Sequence, residues 1–136
     1  MQTTVFWKGG LAFAGRPDRG HTVHLAPAPE NDNGASPMEL VLIALAGCTA
    51  MDVTSILQKK RQRVTDFEVH VLAEQAGDHP RVFTAASVEY SVTGDGVRVD
   101  AVERAVEPSR TKYCSVHAML QQALPIEFSY RVQTAG

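Results

Sequence analysis

The sequence predicts an α+β fold in which antiparallel sheets pack on one long, buried central helix. Three observations carry this reading. Leu40 to Cys48 is apolar around every helical face, short strand-like segments precede it, segments that alternate apolar with polar residues follow it, and glycine or proline punctuates the boundaries. The chain has 136 residues, 44% hydrophobic and 21% charged, which suits a single domain spanning 1–136 and excludes a disordered chain.

The elements follow in order. Thr3 to Lys8, Leu11 to Ala14 and His21 to Leu25 read as short strands of an antiparallel meander, joined by Gly9-Gly10 and by a turn from Gly15 to Gly20. Ala26 to Pro37 holds three prolines, two asparagines and a glycine, the composition of a linker. Ser36-Pro37-Met38-Glu39 then forms a capping box: Ser36 and Glu39 satisfy each other's amides, and Pro37 sits where no N–H is needed. The helix is expected to run to about Lys60, where the basic run Gln58 to Arg63 complements the negative end of its dipole.

Beyond the helix, Phe67, Val69, Val71 and Ala73 alternate with Glu68, His70, Leu72 and Glu74, a strand with one buried face. Arg81 to Thr93 repeats the pattern. Val99, Val102 and Val106 place one apolar stripe on a short helix that Pro108 ends, and a second short helix is expected from about Tyr113 to Leu124. In a closing strand, Ile126, Phe128, Tyr130 and Val132 share a face.

A helix that is apolar on all sides must be surrounded. A chain of this size with small sheets is poorly equipped to do that alone, so the expectation is an intertwined homodimer; the alternative is one strongly curved sheet wrapped around the helix.

Charge and composition narrow the function. Thirteen Lys and Arg against fifteen Asp and Glu give a net charge of −2, which supplies no large positive field for a nucleic-acid backbone or an anionic membrane. The N-terminal residues lack the basic and apolar regions of a secretory signal, and the apolar run is about half the ~18 residues of a membrane span. A cytoplasmic protein is expected.

Cys48 and Cys114 show neither C-x-x-C spacing nor a Cys/His quartet, so no metal site, redox motif or prosthetic group is indicated. They are either two inert buried thiols or one redox couple. From its neighbours Cys48 looks inert, since it lies deep in its helix and Ala44 and Asp52 bring no positive charge. Cys114 follows Arg110 and Lys112 near a helix start, which makes it the more easily ionised. His117 reads as a surface histidine that alternatively serves Cys114 as a base, whereas His21, His24, His70 and His79 show no ligand spacing and read as structural.

Ser36-Pro37-Met38-Glu39-Leu40, Ala46-Gly47-Cys48-Thr49 and Lys112-Tyr113-Cys114-Ser115-Val116 resemble the family of osmotically inducible protein C (OsmC) and the organic hydroperoxide resistance proteins. The resemblance covers nearly the whole chain. It implies an intertwined homodimer and a stress-response, antioxidant enzyme: a thiol peroxidase that reduces organic hydroperoxides to alcohols without a cofactor. By motif, Cys48 is the peroxidatic thiol that becomes a sulfenic acid, Cys114 is the resolving thiol that forms the disulfide, and a dithiol or lipoyl group is the reductant.

In the family's peroxidases an arginine after the glycine turn and a glutamate in the central helix flank the peroxidatic thiol. Here Leu11 and Met38 stand at those places, Glu39 is one step on, and Arg16 or Arg19 in the next turn is the expected substitute, with Arg16 the candidate substrate-binding residue. That departure resembles the divergent OsmC-like branch. It keeps two alternatives open: a non-catalytic binding protein for a small apolar or acyl ligand at the dimer interface, or another thiol chemistry using an activated Cys114.

Overall fold

Ser36 and Glu39 start the long helix through the reciprocal bonds expected of them. The Ser36 amide donates to Glu39 Oε1 at 2.9 Å and the Glu39 amide donates to Ser36 Oγ at 3.2 Å. The two bonds hold the Glu39 carboxyl below the usual carboxylate range. The helix α1 runs Pro37–Lys59 in this computed structural model, which describes residues 1–27 and 34–135. Half of the expected linker, residues 28–33, lies outside the described residues.

The described chain divides into two compact units, Met1–Ile43 and Ala44–Gly136. In the first, β1 (Thr3–Gly9), β2 (Ala12–Pro17) and β3 (Val23–Leu25) form an antiparallel sheet in that order. The β1–β2 turn uses Gly9 and Gly10 at φ +105° and +57°, a region costly for residues with a Cβ. Gly15 and Arg16, expected in a turn, belong instead to β2. Thr4 and Thr3 extend the ladder to Arg16 and Pro17, and the Thr3 hydroxyl donates to the Arg16 carbonyl at 2.9 Å. Every residue of β1 is exposed in this unit, including Val5, Phe6 and Trp7.

The second unit carries β4 (Arg63–Gln75), β5 (Phe83–Asp95) and β6 (Ile126–Thr134) in the order β4-β5-β6. β4 and β5 pair antiparallel, and Phe67, Val69, Val71 and Ala73 share the covered face while their neighbours are exposed. β6 pairs parallel with β5, from Ala86↔Ile126 to Gly94↔Thr134, so this sheet is mixed rather than antiparallel throughout. The reason is the connection: α2 (Val99–Pro108), a π-helical turn (Ser109–Tyr113) and α3 (Ser115–Leu120) form a crossover that returns the chain to the end where β5 began. The expected second helix is thus shorter. Cys114 adopts an extended conformation (φ −78°, ψ 99°) that interrupts helical geometry and caps α3.

The core of this unit joins Leu45, Val53 and Leu57 of α1 to Val88, Tyr90 and Val92 of β5, Ala101, Val102, Ala105 and Val106 of α2, and Cys114. Val99, expected on the buried stripe of α2, is exposed, because alanines 101 and 105 let the helix approach closely on a face rotated away from it. α1 buries one stripe, Leu45, Thr49, Val53 and Leu57, at four-residue spacing. Its opposite side shows Ile43 at 58% and Met51 at 75% exposure, so the all-round apolar helix is covered on one side only. By length and composition α1 is also long and apolar enough to cross a membrane, which the nine-residue count understated; its buried stripe inside the core marks it as a core helix.

Replacing Ser36 by Ala removes one half of the capping box. The expected loss is about 1 kcal/mol of stability, read as a lower urea midpoint, with Ser36→Thr retaining most of it.

Candidate functional site

Cys48 and Asp52 lie one helical turn apart on the same face of α1. Cys114 reaches them from the crossover. Its amide donates to the Ser109 carbonyl at 2.9 Å, closing the π-helical turn, and its sulfur accepts the His117 amide at 3.4 Å. The result is a cluster in which Cys48 Sγ, Cys114 Sγ and a carboxylate oxygen of Asp52 all lie within 4.8 Å of one another. Both thiols are free; Cys48 is half-buried and Cys114 is buried.

A chain of hydroxyls holds the carboxylate. Ser109 Oγ donates to Asp52 Oδ2 at 2.9 Å, and Thr49 Oγ1 lies 2.8 Å from Ser109 Oγ and in hydrogen-bond contact with the Tyr90 hydroxyl. Each hydroxyl has a single proton, so the direction of the whole chain is set: Tyr90 donates to Thr49, Thr49 to Ser109, and Ser109 to Asp52. Thr49, Tyr90 and Ser109 are fully buried, so every polar atom in the chain needs the partner it has. Burial, aided by the negative charge of Asp52 and Cys114, pushes the Tyr90 phenol up to about 12 against the pull of its Thr49 bond.

The charge environment reverses the expectation for Cys114. Burial pushes its thiol up to about 11; the His117 amide bond opposes this, while Cys48 and Asp52 add to it. The nearby cations are engaged elsewhere. Arg110 forms a 3.0 Å ion pair with Glu107 and stacks over Phe128, and Lys112 sits over the ring of Tyr113. Cys114 is therefore a protonated thiol at neutral pH.

His117 is not a surface residue. It is buried with its ring edge-on to Phe128 at 5.0 Å, and Nδ1 lies 2.9 Å from the Arg110 carbonyl. A carbonyl can only accept, so Nδ1 carries the proton, and burial depresses the ring's basicity. Its contribution to the site is the backbone amide on the Cys114 sulfur. His21, His24, His70 and His79 are exposed.

Arg16 belongs to the first unit, on β2, with its guanidinium 5.4 Å from the Phe6 ring centroid. Arg19 lies in the turn after β2, Leu11 is exposed between β1 and β2, and Met38 is in the first turn of α1. Sequence reasoning noted Asp52 only as a neighbour without positive charge, and it missed Thr49, Tyr90 and Ser109. The i, i+4 spacing of Cys48 and Asp52 was a usable signal; nothing local marks Tyr90 or Ser109.

Asp52 also lines a groove of about 400 Å³ with Met51, Ser55, Ile56, Lys59 and Tyr113. The groove runs along the flank of α1, and of the cluster Asp52 lines it.

The folded state holds the Cys114 proton more tightly than the unfolded chain, so its contribution to stability is complete below pH 9.0 and is lost as pH rises through about 11. Urea unfolding of the reduced protein should show that loss, and Cys114→Ser should lose less over the same range. Equal losses would mean that the thiol is not held up.

Comparison with known proteins places this geometry in context. The sequence model described as "OsmC-like protein" matches residues 30–129. "Protein YhfA" of Escherichia coli strain K12 is 46% identical over 135 residues, covering 99% of this chain and 100% of the relative. A crystal structure of a hypothetical protein from Aquifex aeolicus VF5 is 27% identical, covers 99% of this chain and 97% of its own, and superposes with a TM-score of 0.87. The organic hydroperoxide resistance protein OhrB of Bacillus subtilis, 15% identical over 96% of each chain, shares the fold with a TM-score of 0.63.

Proposed function

The chain belongs to the OsmC-like protein family, and from that premise we propose that it is a thiol peroxidase of organic hydroperoxides. The observation that carries the reading is the meeting of two sulfurs separated by 66 residues of sequence, within 4.8 Å of each other. A sulfenic acid formed beside a second thiol is trapped before it oxidises further.

The cycle balances. The Cys48 thiolate attacks one oxygen of ROOH, the O–O bond breaks, and the alkoxide leaves as ROH after taking a proton. Cys48 is now a sulfenic acid. The Cys114 sulfur displaces water from it to form the disulfide, and an external dithiol, a lipoyl group in this reading, is oxidised as it returns both thiols. Holding Cys114 as a thiol suits the resolving role, because the first nucleophile is then Cys48. Arg16 takes the place of the family arginine and orients the peroxide.

A second copy completes the molecule in this proposal, making one OsmC-like domain per chain in a cytoplasmic homodimer. The exposed Ile43 and Met51 of α1, and Val5, Phe6 and Trp7 of β1, are the apolar surface it would cover. Sedimentation equilibrium at micromolar concentration should give twice the chain mass; a monomer would remove this part of the reading.

Stopped-flow measurement with cumene hydroperoxide tests the chemistry. The parent should consume peroxide and acquire a Cys48–Cys114 disulfide, Cys48→Ser should lose at least a hundredfold in rate, and Cys114→Ser should accumulate a sulfenic acid. Arg16→Ala should lower the second-order rate about tenfold or more. A Cys48→Ser protein as fast as the parent would end the proposal.

One observation favours a second reading, a binding protein for a small apolar or acyl ligand: the charged group beside the thiols is an anion, Asp52, and Leu11 and Met38 occupy the places of the family's activating pair. Native mass spectrometry separates the two, since a retained ligand together with peroxide-inert thiols supports binding.

A further inference from the structure

We propose that the reduced site binds one Zn²⁺ ion per chain, through Cys48 Sγ, Cys114 Sγ and a carboxylate oxygen of Asp52, and releases it when the two sulfurs join. The sequence spacing indicated no metal site. The fold assembles one, because the third donor is supplied by the turn after Cys48 and the second thiol by the crossover.

The donor set suits this ion. Two thiolates and one carboxylate are ligands that Zn²⁺ takes, and three protein ligands leave its fourth tetrahedral position to water. At Zn–S distances of about 2.3 Å, tetrahedral geometry needs the two sulfurs about 3.8 Å apart and each roughly 3.5 Å from the oxygen. The three atoms already lie within 4.8 Å of one another, so side-chain rotations of an ångström or less complete the site. Ligands at i and i+4 on one helix face converge on a common ion.

The surroundings are those of held ligands. Ser109 donates to Asp52 Oδ2 and fixes the carboxylate, whose Oδ1 has no protein partner among the described residues. The His117 amide donates to the Cys114 sulfur, which supports a thiolate there. Asp52 makes no ion pair among the described residues, although it is partly buried and faces two thiols. A divalent cation would give this carboxylate a countercharge. Binding displaces one proton from each thiol to solvent and involves no electron transfer. Oxidation of the pair by a hydroperoxide takes two electrons from the sulfurs and two protons back from solvent, yields the disulfide, ROH and H₂O, and leaves the ion with a single carboxylate.

The test needs no peroxidase activity. Reduced parent protein is titrated with Zn²⁺ against a chromophoric chelator, and with Cd²⁺ for its thiolate charge-transfer band. One ion per chain should bind, with the band present. Asp52→Asn should weaken binding at least tenfold, Ser109→Ala by a smaller factor, and Cys48→Ser or Cys114→Ser should abolish the band. Protein carrying the disulfide, formed with diamide and verified by mass, has the unaltered sequence and should bind no ion, which guards against misfolded variants. The proposal is overturned if the reduced parent takes up no ion at micromolar Zn²⁺, or if Asp52→Asn binds as tightly as the parent. A protein that binds Zn²⁺ but consumes no hydroperoxide would sink the peroxidase reading and leave this one standing.

Discussion

Ser109 ties the segment bearing Cys114 to the helix bearing Cys48. Its hydroxyl donates to Asp52 and accepts from Thr49, both on α1, while its carbonyl accepts the amide of Cys114. Through Thr49 the same chain reaches Tyr90 in the middle of β5. A helix, a sheet and a crossover thus meet at one fully buried residue. Removing its hydroxyl takes the donor from Asp52 Oδ2 and the acceptor from the buried Thr49 hydroxyl, which keeps only its Tyr90 bond, and a buried group left with an unmet bond costs about 1–3 kcal/mol. The relative placement of the two sulfurs depends on this joint, since apolar packing alone is not directional.

Electrostatics then decides what the sulfurs can do. Burial and the Asp52 carboxylate both oppose negative charge at the cluster, as the upward shift of Cys114 records. The α1 face that carries Cys48 offers Asp52 and no cation within one turn. In the peroxidase reading the substrate-orienting group is Arg16; in the metal-bound state the ion fills the same electrostatic need. The two states compete, because a thiolate coordinated to Zn²⁺ is a weaker nucleophile toward an O–O bond than a free one. A carboxylate beside a thiol pair is a poor activator of peroxide but a good third ligand, so the two proposals would give one site two occupants with opposite consequences.

Much of the architecture was legible because it rests on local rules. The capping box, the glycine turn of β1 and β2, the alternation in β4 and the stop of α2 at Pro108 depend on residues within a few positions of one another. What failed to read depends on tertiary neighbours. Arg16 joined a strand because β1 was long enough to pair with it, and Val99 faced outward because small residues set the contact of α2. The cysteine pair was recognisable by motif, yet its ionisation was misjudged from sequence. The cations near Cys114 in the chain are held by Glu107, Phe128 and Tyr113, and burial outweighs what remains. His117 was misplaced for a related reason: a six-residue helix is too short to display a periodicity, so which side faces Phe128 is fixed only by the fold.

The parallel seating of β6 on β5 has a consequence for biogenesis. Residues 96 to 125 form a clasp between two strands that cannot zip together as a hairpin, and closing such a long excursion is slow compared with forming α1 or the β4–β5 hairpin. Cys114 lies inside that clasp, whereas Cys48 is carried by an element that forms early. The geometry that seats the two sulfurs together is therefore completed by the slower, non-local step of folding.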